Sequence, residues 1–405
     1  MNWYDMIQSV TLVPVIVGSI YSVVCVVCVA IFRFRASTSP RLPNGGWPAV
    51  SVLKPVHGLE KDLDKNLRSI CRQDYPQYQV IFCVQSETDR AIPLLRQLEA
   101  EFGSHRVTVV IEQRRVGANG KINNLIGGLG YAKHDFLVIS DSDVYTRGDY
   151  LRAIVAPLAD PDVGFVCTFF KATSASTWFE QMELLTMNAC YFQDTVFAYV
   201  TKTAKFCIGA SLAFRRSSLQ QIGGLESLAD YFVEDYEMGR RIWEQGKKAA
   251  VAPYLVECTV DLKTPWQWWN HQIYWDQNSC TVRPVALFST VILRAVPFAA
   301  LFAAFRLADP LGFYVLAGAV GLRLMTAAAI MGYGLGERKS LKALPMLPVR
   351  DILGLVSLIL GLSRKTVVRR NKEFLVTKGG RMIMKEAALC ESLSSTETTS
   401  ASLSR

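Results

Sequence analysis

Charge is what this sequence has least of. Asp, Glu, Lys and Arg make up 20% of its 405 residues, where soluble domains run near about a quarter. The shortfall falls in the first 32 residues and in roughly 284–363. Val10 to Phe32 holds no charged residue across 23 positions, a length that crosses a bilayer as a helix. No Lys or Arg precedes Arg33 and no small-residue cleavage site follows the run, which argues against a cleaved signal peptide. Also missing are a G-x-G-x-x-G or G-x-x-x-x-G-K-[ST] spacing, which argues against a dinucleotide fingerprint and a P-loop, and any nucleic-acid-binding motif. Eight of the ten cysteines show no pairing or metal spacing, as suits a reducing cytoplasm. Cys25 and Cys28 form a CxxC, but inside the apolar run, where they serve as small apolar filler. No internal repeat is evident.

The net charge of +9 is concentrated at Arg33, Arg35 and Arg41 and in Arg364 to Lys372. Basic clusters beside apolar segments match anionic headgroups, so the partner is a lipid bilayer and not nucleic acid. The arginines after the first run place the N-terminus outside and the following domain in the cytoplasm. The expected organisation is an N-terminal transmembrane anchor over 1–34, a Pro-, Gly- and Ser-rich linker over 35–48, a cytoplasmic domain over 49–283, membrane-associated helices over 284–363, and a basic then Ser/Thr-rich, partly disordered tail over 364–405. Three apolar stretches, 285–305, 310–333 and 345–363, fill the membrane region. Three full crossings would carry the basic tail outside, so one of them, most simply 285–305, is expected to lie in the interface or re-enter.

Within 49–283 the pattern alternates. AVSVLKPV, YQVIFCVQ, RVTVVIE and DFLVISDSDV read as strands, separated by helices with apolar residues at helical spacing, such as Leu59, Leu63, Leu67 and Ile70. That alternation predicts an α/β, Rossmann-like fold on a mostly parallel sheet, with ligands at the carboxyl ends of the strands.

The polar residues at those ends carry the chemistry. Asp141 and Asp143 close a strand. Two carboxylates so near repel, which in a cleft is best explained by a divalent cation, Mn²⁺ or Mg²⁺, shared with phosphate oxygens; the alternative is a solvated acidic turn. Asp89 follows the second strand and is suited either to a nucleotide's hydroxyls or to capping the next helix. Lys121, in GANGKINNL before a helix, is placed to face a diphosphate. Glu234 and Asp235 open an amphipathic helix, as caps or with one of them a general base. Gly209 and Ala210 allow close backbone approach to a ligand, or form a tight turn. In PWQWWNHQIYWDQN, Pro265 to Asn278, four tryptophans stand beside His271 and Tyr274. Trp266 to Trp269 suit an interfacial aromatic belt, and His271 to Trp275 a site.

SVLKP, LRSICRQDYPQYQVIFCV, KINNL, SDSDV, GASLAFRR, the glycine pair at 223–224 and EDYEMG occur in the order seen in membrane glycosyltransferases of the ceramide glucosyltransferase type. The sequence resembles that family over about residues 10–380, and bacterial hopanoid-modifying glycosyltransferases share much of the pattern. The resemblance implies a glycosyltransferase A-type fold and inversion at the sugar. It implies a UDP-sugar donor, a membrane lipid acceptor, Asp89 at the nucleotide, Asp141 and Asp143 at the metal and donor diphosphate, and Asp235 as the base. The family's last motif, Gln/Arg-x-x-Arg-Trp, corresponds to His271, Gln272, Tyr274 and Trp275 in an acceptor or diphosphate loop, where Trp275 is kept and Tyr274 replaces the arginine. A tyrosine cannot grip a diphosphate as a guanidinium does, so Lys121 or Arg283 would supply that charge, or the loop faces the acceptor.

The expected activity is transfer of glucose from UDP-glucose to ceramide, in a bacterial inner membrane or an ER/Golgi membrane. The alternatives are a hopanoid or diacylglycerol acceptor with another sugar and, more remotely, a non-enzymatic sugar-nucleotide-binding membrane protein. A processive polysaccharide synthase would carry the intact arginine motif and more crossings.

Overall fold

The computed structural model describes residues 3–36, 46–203, 209–307, 309–369 and 372–385. Most of the expected linker and the Ser/Thr-rich end lie outside the described residues. After the long helix α1 (Trp3–Ala36), strands and helices alternate: β1 (Val50–Pro55), α2 (Leu63–Cys71), β2 (Tyr78–Val84), α3 (Ile92–Phe102), β3 (Val107–Ile111), α4 (Gly120–Leu129) and β4 (Phe136–Ser140). They are followed by β5 (Val144–Tyr145), α5 (Tyr150–Val155), β6 (Val163–Thr173), α6 (Trp178–Leu185), α7 (Phe192–Val200), β7 (Ser211–Arg215), α8 (Arg216–Gln221), α9 (Glu234–Glu244) and β8 (Lys248–Thr259).

Eight strands form one sheet in the order β3-β2-β1-β4-β7-β6-β8-β5. β1 and β2 are buried at every position, which is why they read as unbroken apolar runs. The first half is parallel, as the alternation predicts. Beyond β4 the sheet is mixed, since β7 runs antiparallel to both β4 and β6, and β5 antiparallel to β8, while β6 and β8 are parallel. A strand's own pattern reports burial and not the direction of its partner. The parallel half brings the segments after β1, β2 and β4 to one edge.

α1 is no free-standing anchor. Tyr21, Cys25, Cys28, Val29 and Phe32 join the main core, with Phe32 edge-on to Phe169 at 4.9 Å. Both cysteines are free thiols in that seam.

After β8 comes a run of helices: α10 (Pro265–Val282), α11 (Pro284–Ile292), α12 (Ala295–Ala304), α13 (Pro310–Ala329) and α14 (Leu347–Ser363). By length and composition, three helical stretches can cross a membrane: Ser9–Arg35, Pro310–Gly334 and Arg338–Ser363. The pair α11 and α12 is bent by 49° and is either a broken span or a re-entrant loop. The charges that interrupt these apolar stretches are paired inside the protein. Arg294, at the bend, reaches Asp194 at 2.7 Å, and Arg323 meets Asp351 at 2.9 Å with both side chains buried. Ion pairing is what makes such residues tolerable at membrane depth.

Two expectations are corrected. PWQWWNHQIYWDQN is not a loop: it lies in α10, which starts where the Thr264 side chain accepts from Gln267 N–H and Pro265 takes the first turn. The basic segment after 364 is not a plain tail. It folds as β9 (Thr366–Arg369), β10 (Lys372–Val376) and β11 (Met382–Met384), a three-stranded antiparallel sheet. Val367, Phe374 and Met382 pack on Phe232 with Tyr274 alongside, and Phe232 N–H donates to Gly380 O at 2.8 Å. Alternating apolar residues gave that segment one face to bury, which its net charge masked.

Candidate active site

The cleft is built at the carboxyl edge of β1, β2 and β4. Lys54, fully buried on β1, donates to Ser140 Oγ at 3.2 Å, Asp141 O at 2.7 Å and Val144 O at 3.2 Å. Its ammonium thereby fixes the backbone of the turn that carries both aspartates. Burial lowers its pKa to about 8 against the pull of Asp143 and Asp141. A lysine in an otherwise apolar strand is the signal that the sequence offers for this role.

Asp89 acts as a tie between loops. Its two oxygens accept from Gly58 N–H at 2.9 and 3.0 Å, and Oδ1 also accepts from Ala91 N–H at 2.9 Å. His57 Nδ1 lies 3.2 Å away. The carboxylate closes the turn that leads into α3 without being its N-cap, which is Ala91, and it also pins the loop after β1.

Asn119 is the hub on the other side. Its side-chain oxygen caps α4 by accepting from Lys121 and Ile122 N–H, and its amide donates to Glu234 Oε2 at 2.8 Å and to Tyr231 O at 2.9 Å. Lys121 Nζ lies 2.7 Å from Asp141 Oδ1, 3.4 Å from Glu234 Oε1 and 3.4 Å from Gly209 O. Burial alone would depress this ammonium, and the Asp141 and Glu234 carboxylates override it to hold it above its usual range. Gly209 sits against the base candidate, for a Cβ there would lie 2.4 Å from Asp235 Oδ2. The small residue makes room for a carboxylate of the protein itself. Lys121, Asp141, Gly209, Glu234 and Asp235 thus come together from four separate segments.

The carboxylates are held against their preference. Burial first, and then Glu234, raises Asp235 to about 7. Burial and then Asp141 raise Asp143 to about 7. Asp141 is also raised, chiefly by burial, as is Glu60, whose carboxylate accepts from Ser142 Oγ at 2.7 Å. Asp141 Oδ1 contacts Lys121 as an ion pair but has no hydrogen bond of good geometry. A surplus of half-buried acids with an unsatisfied oxygen suits a hard divalent cation. Among the described residues no three His, Cys, Asp or Glu converge on one metal position. Asp141 and Asp143 would leave the remaining coordination to phosphate oxygens and water.

α10 forms the wall. His271 Nδ1 lies 3.0 Å from Glu183 Oε1, and Glu183 is 2% exposed. Burial works against the imidazolium, but Glu183 outweighs it and raises the pKa of His271. The His271 ring stacks on Tyr274 at 6.2 Å and 11°. Tyr274 meets Phe232 edge-on at 5.4 Å, and Trp275 lies 6.0 Å from Tyr191. Gln272 is buried, its amide donating to Glu183 Oε2 at 2.5 Å and accepting from Thr186 Oγ1 at 2.8 Å. It braces the wall. Of the two cations proposed for the missing arginine, Lys121 stands at the acids, while burial lowers the pKa of Arg283. Glu183, Glu60 and Asn119 carried no sequence signal, because only the fold gives them their neighbours.

The model of glycosyl transferase family 21 matches residues 10–382. Ceramide glucosyltransferase 1 of Caenorhabditis elegans is 29% identical over 218 residues, covering 52% of this chain and 46% of that protein. Ceramide glucosyltransferase of Candida albicans is 28% identical over 124 residues, covering 28% of this chain and 23% of that protein. The chain thus matches half or less of the length of these curated relatives. Among solved structures, the mannosyltransferase PcManGT from Pyrobaculum calidifontis in complex with GDP-Man and Mn²⁺ is similar at a TM-score of 0.45 and 20% identity, covering 85% of this chain and 99% of that one.

Proposed function

The chain belongs to glycosyl transferase family 21, and from that premise we propose that it transfers glucose from UDP-glucose to the hydroxyl of ceramide with inversion. The observation that carries this reading is Asp235, a half-buried carboxylate raised to about 7 beside a lysine and two further acids. The ceramide relatives favour that acceptor over a hopanoid.

An acceptor hydroxyl is a poor nucleophile near neutrality and needs a positioned base. Asp235 takes its proton as the new bond from acceptor oxygen to sugar C1 forms. The bond from C1 to the diphosphate oxygen breaks on the opposite face, which gives inversion in one step. Lys121 stands where negative charge develops on the departing UDP and donates to it. Asp141 and Asp143 would hold a divalent cation, which would supply Lewis-acid stabilisation of that leaving group. Asp89 holds the loops after β1 and β2 that would seat the nucleotide, and His271, Tyr274 and Trp275 wall the acceptor side. The reading places the catalytic unit, 49–283, at the cytoplasmic face, held to the bilayer by α1 and by 284–363.

The test is transfer of labelled glucose to ceramide by the purified full chain, with Mn²⁺ or Mg²⁺ and with chelator. Asp235→Asn is expected to lower kcat by about 10²- to 10⁴-fold. Full activity in that variant would remove Asp235 from the role.

A further inference from the structure

A groove of about 590 Å³ lies between α6, α10 and α14, lined by Trp178, Pro265, Trp266, Trp268, Trp269 and Leu353. We propose that it binds one hydrocarbon chain of the acceptor lipid and so aims that lipid's hydroxyl into the cleft. The proposal rests on the lipid-acceptor reading above.

Four observations carry it. The groove falls within the size range of small-ligand pockets, and its lining is apolar but for Thr264, so it offers a headgroup or a nucleotide few hydrogen-bond partners. Its floor is a fixed aromatic surface: Trp268 is buried, packed edge-on against Trp178 at 6.3 Å and tilted against Trp269 at 5.9 Å. Its rim is left open, with Trp266 66% and Trp178 52% exposed, more aromatic surface than a water-facing site leaves uncovered. Finally, the groove is continuous both with the membrane segment and with the site. Leu353 belongs to the candidate span Arg338–Ser363. On α10, His271 follows Trp268 by one turn, tied to Glu183 of α6, and Trp275 follows by about 10 Å of helix rise. A chain that enters from the bilayer beside α14 therefore leads its polar end along α10 towards His271 and Trp275.

The experiment uses the full chain in nanodiscs with short-chain ceramide analogues that dissolve in water as monomers, lengthened one methylene at a time. The expected result is a fall in KM of about fourfold per methylene until the groove is filled. Leu353→Trp, which fills it, and Trp178→Ala, which opens its wall, are expected to flatten that dependence and leave KM for UDP-glucose unchanged. A wild-type chain-length slope in both variants overturns the proposal while leaving the transfer reaction intact. Binding is read separately, by quenching of tryptophan fluorescence with a brominated-chain ceramide. Quenching that is strong in the wild type and lost in Trp178→Ala supports the groove even if no glucose is transferred, and that outcome would sink the proposed function alone. Quenching unchanged by the substitution overturns the groove.

Discussion

Gly209→Ala isolates the placement of the base. The added Cβ would lie 2.4 Å from Asp235 Oδ2 and 2.9 Å from its Cγ, where ordinary contact begins near about 3.4 Å. The Asp235 carboxylate must therefore withdraw by about 1 Å, because its helix start is held by Glu234 on Asn119 and Gly209 by its own carbonyl near Lys121. A displacement of about 1 Å in a reacting group costs about 10²-fold in rate. The assay is initial-rate transfer from UDP-glucose over a full acceptor range. We expect kcat to fall about 100-fold, KM for UDP-glucose to change little, and thermal stability to shift by no more than about 4 °C. Gly318→Ala is the control, since no neighbour lies within 4 Å of its Cβ. A kcat within threefold of wild type in Gly209→Ala would show that Asp235 has room to spare and that the close approach has no catalytic purpose.

Activity and stability should respond oppositely to pH. Asp235 must be deprotonated to accept a proton, so kcat/KM is expected to rise with pH through an apparent pKa near 7, where burial and Glu234 place it. The folded state keeps this proton between the usual 3.8 and about 7 while the unfolded state has lost it, so this group's contribution to stability declines as pH climbs through that window. A melting temperature that rises over the same window would contradict the assignment. Lys54→Met should strand two buried carbonyls and cost about 2 kcal/mol or more in stability, together with weaker Mn²⁺ binding measured by calorimetry; unchanged Mn²⁺ affinity would reduce Lys54 to a packing residue. The sheet β9–β11 docks on Phe232 through the Tyr231 and Arg381 bridge, so in the proposed membrane-bound arrangement it is expected on the catalytic side. Lys378→Cys and Lys247→Cys are expected to react with an impermeant maleimide from the same side, and labelling from opposite sides would refute an even number of crossings over 284–363.

The parallel half of the fold was legible because β1 and β2 are buried along their whole length and the helices between them keep one apolar face. The mixed half was not, since β7 reverses direction without any mark in its own five residues. The DxD and EDY acids stood out because paired carboxylates next to apolar runs are costly without a purpose. Lys54, Glu183 and Asn119 did not stand out, because a polar residue's role depends on partners far away in sequence, such as Lys54 and Val144 at 90 residues' separation.

By itself the sequence determined that the chain holds helical runs long and apolar enough to cross a membrane, that an α/β unit follows the first apolar run, and that acids sit at strand and helix ends. These follow from local composition and periodicity. Only the tertiary structure decided that Lys121 and Asp141 pair across the cleft, that Gly209 faces Asp235, that PWQWWNHQIYWDQN lies in a helix with an apolar groove beside it, and that the basic segment folds back as a sheet. Each of those depends on contacts between distant segments, which no window of sequence contains.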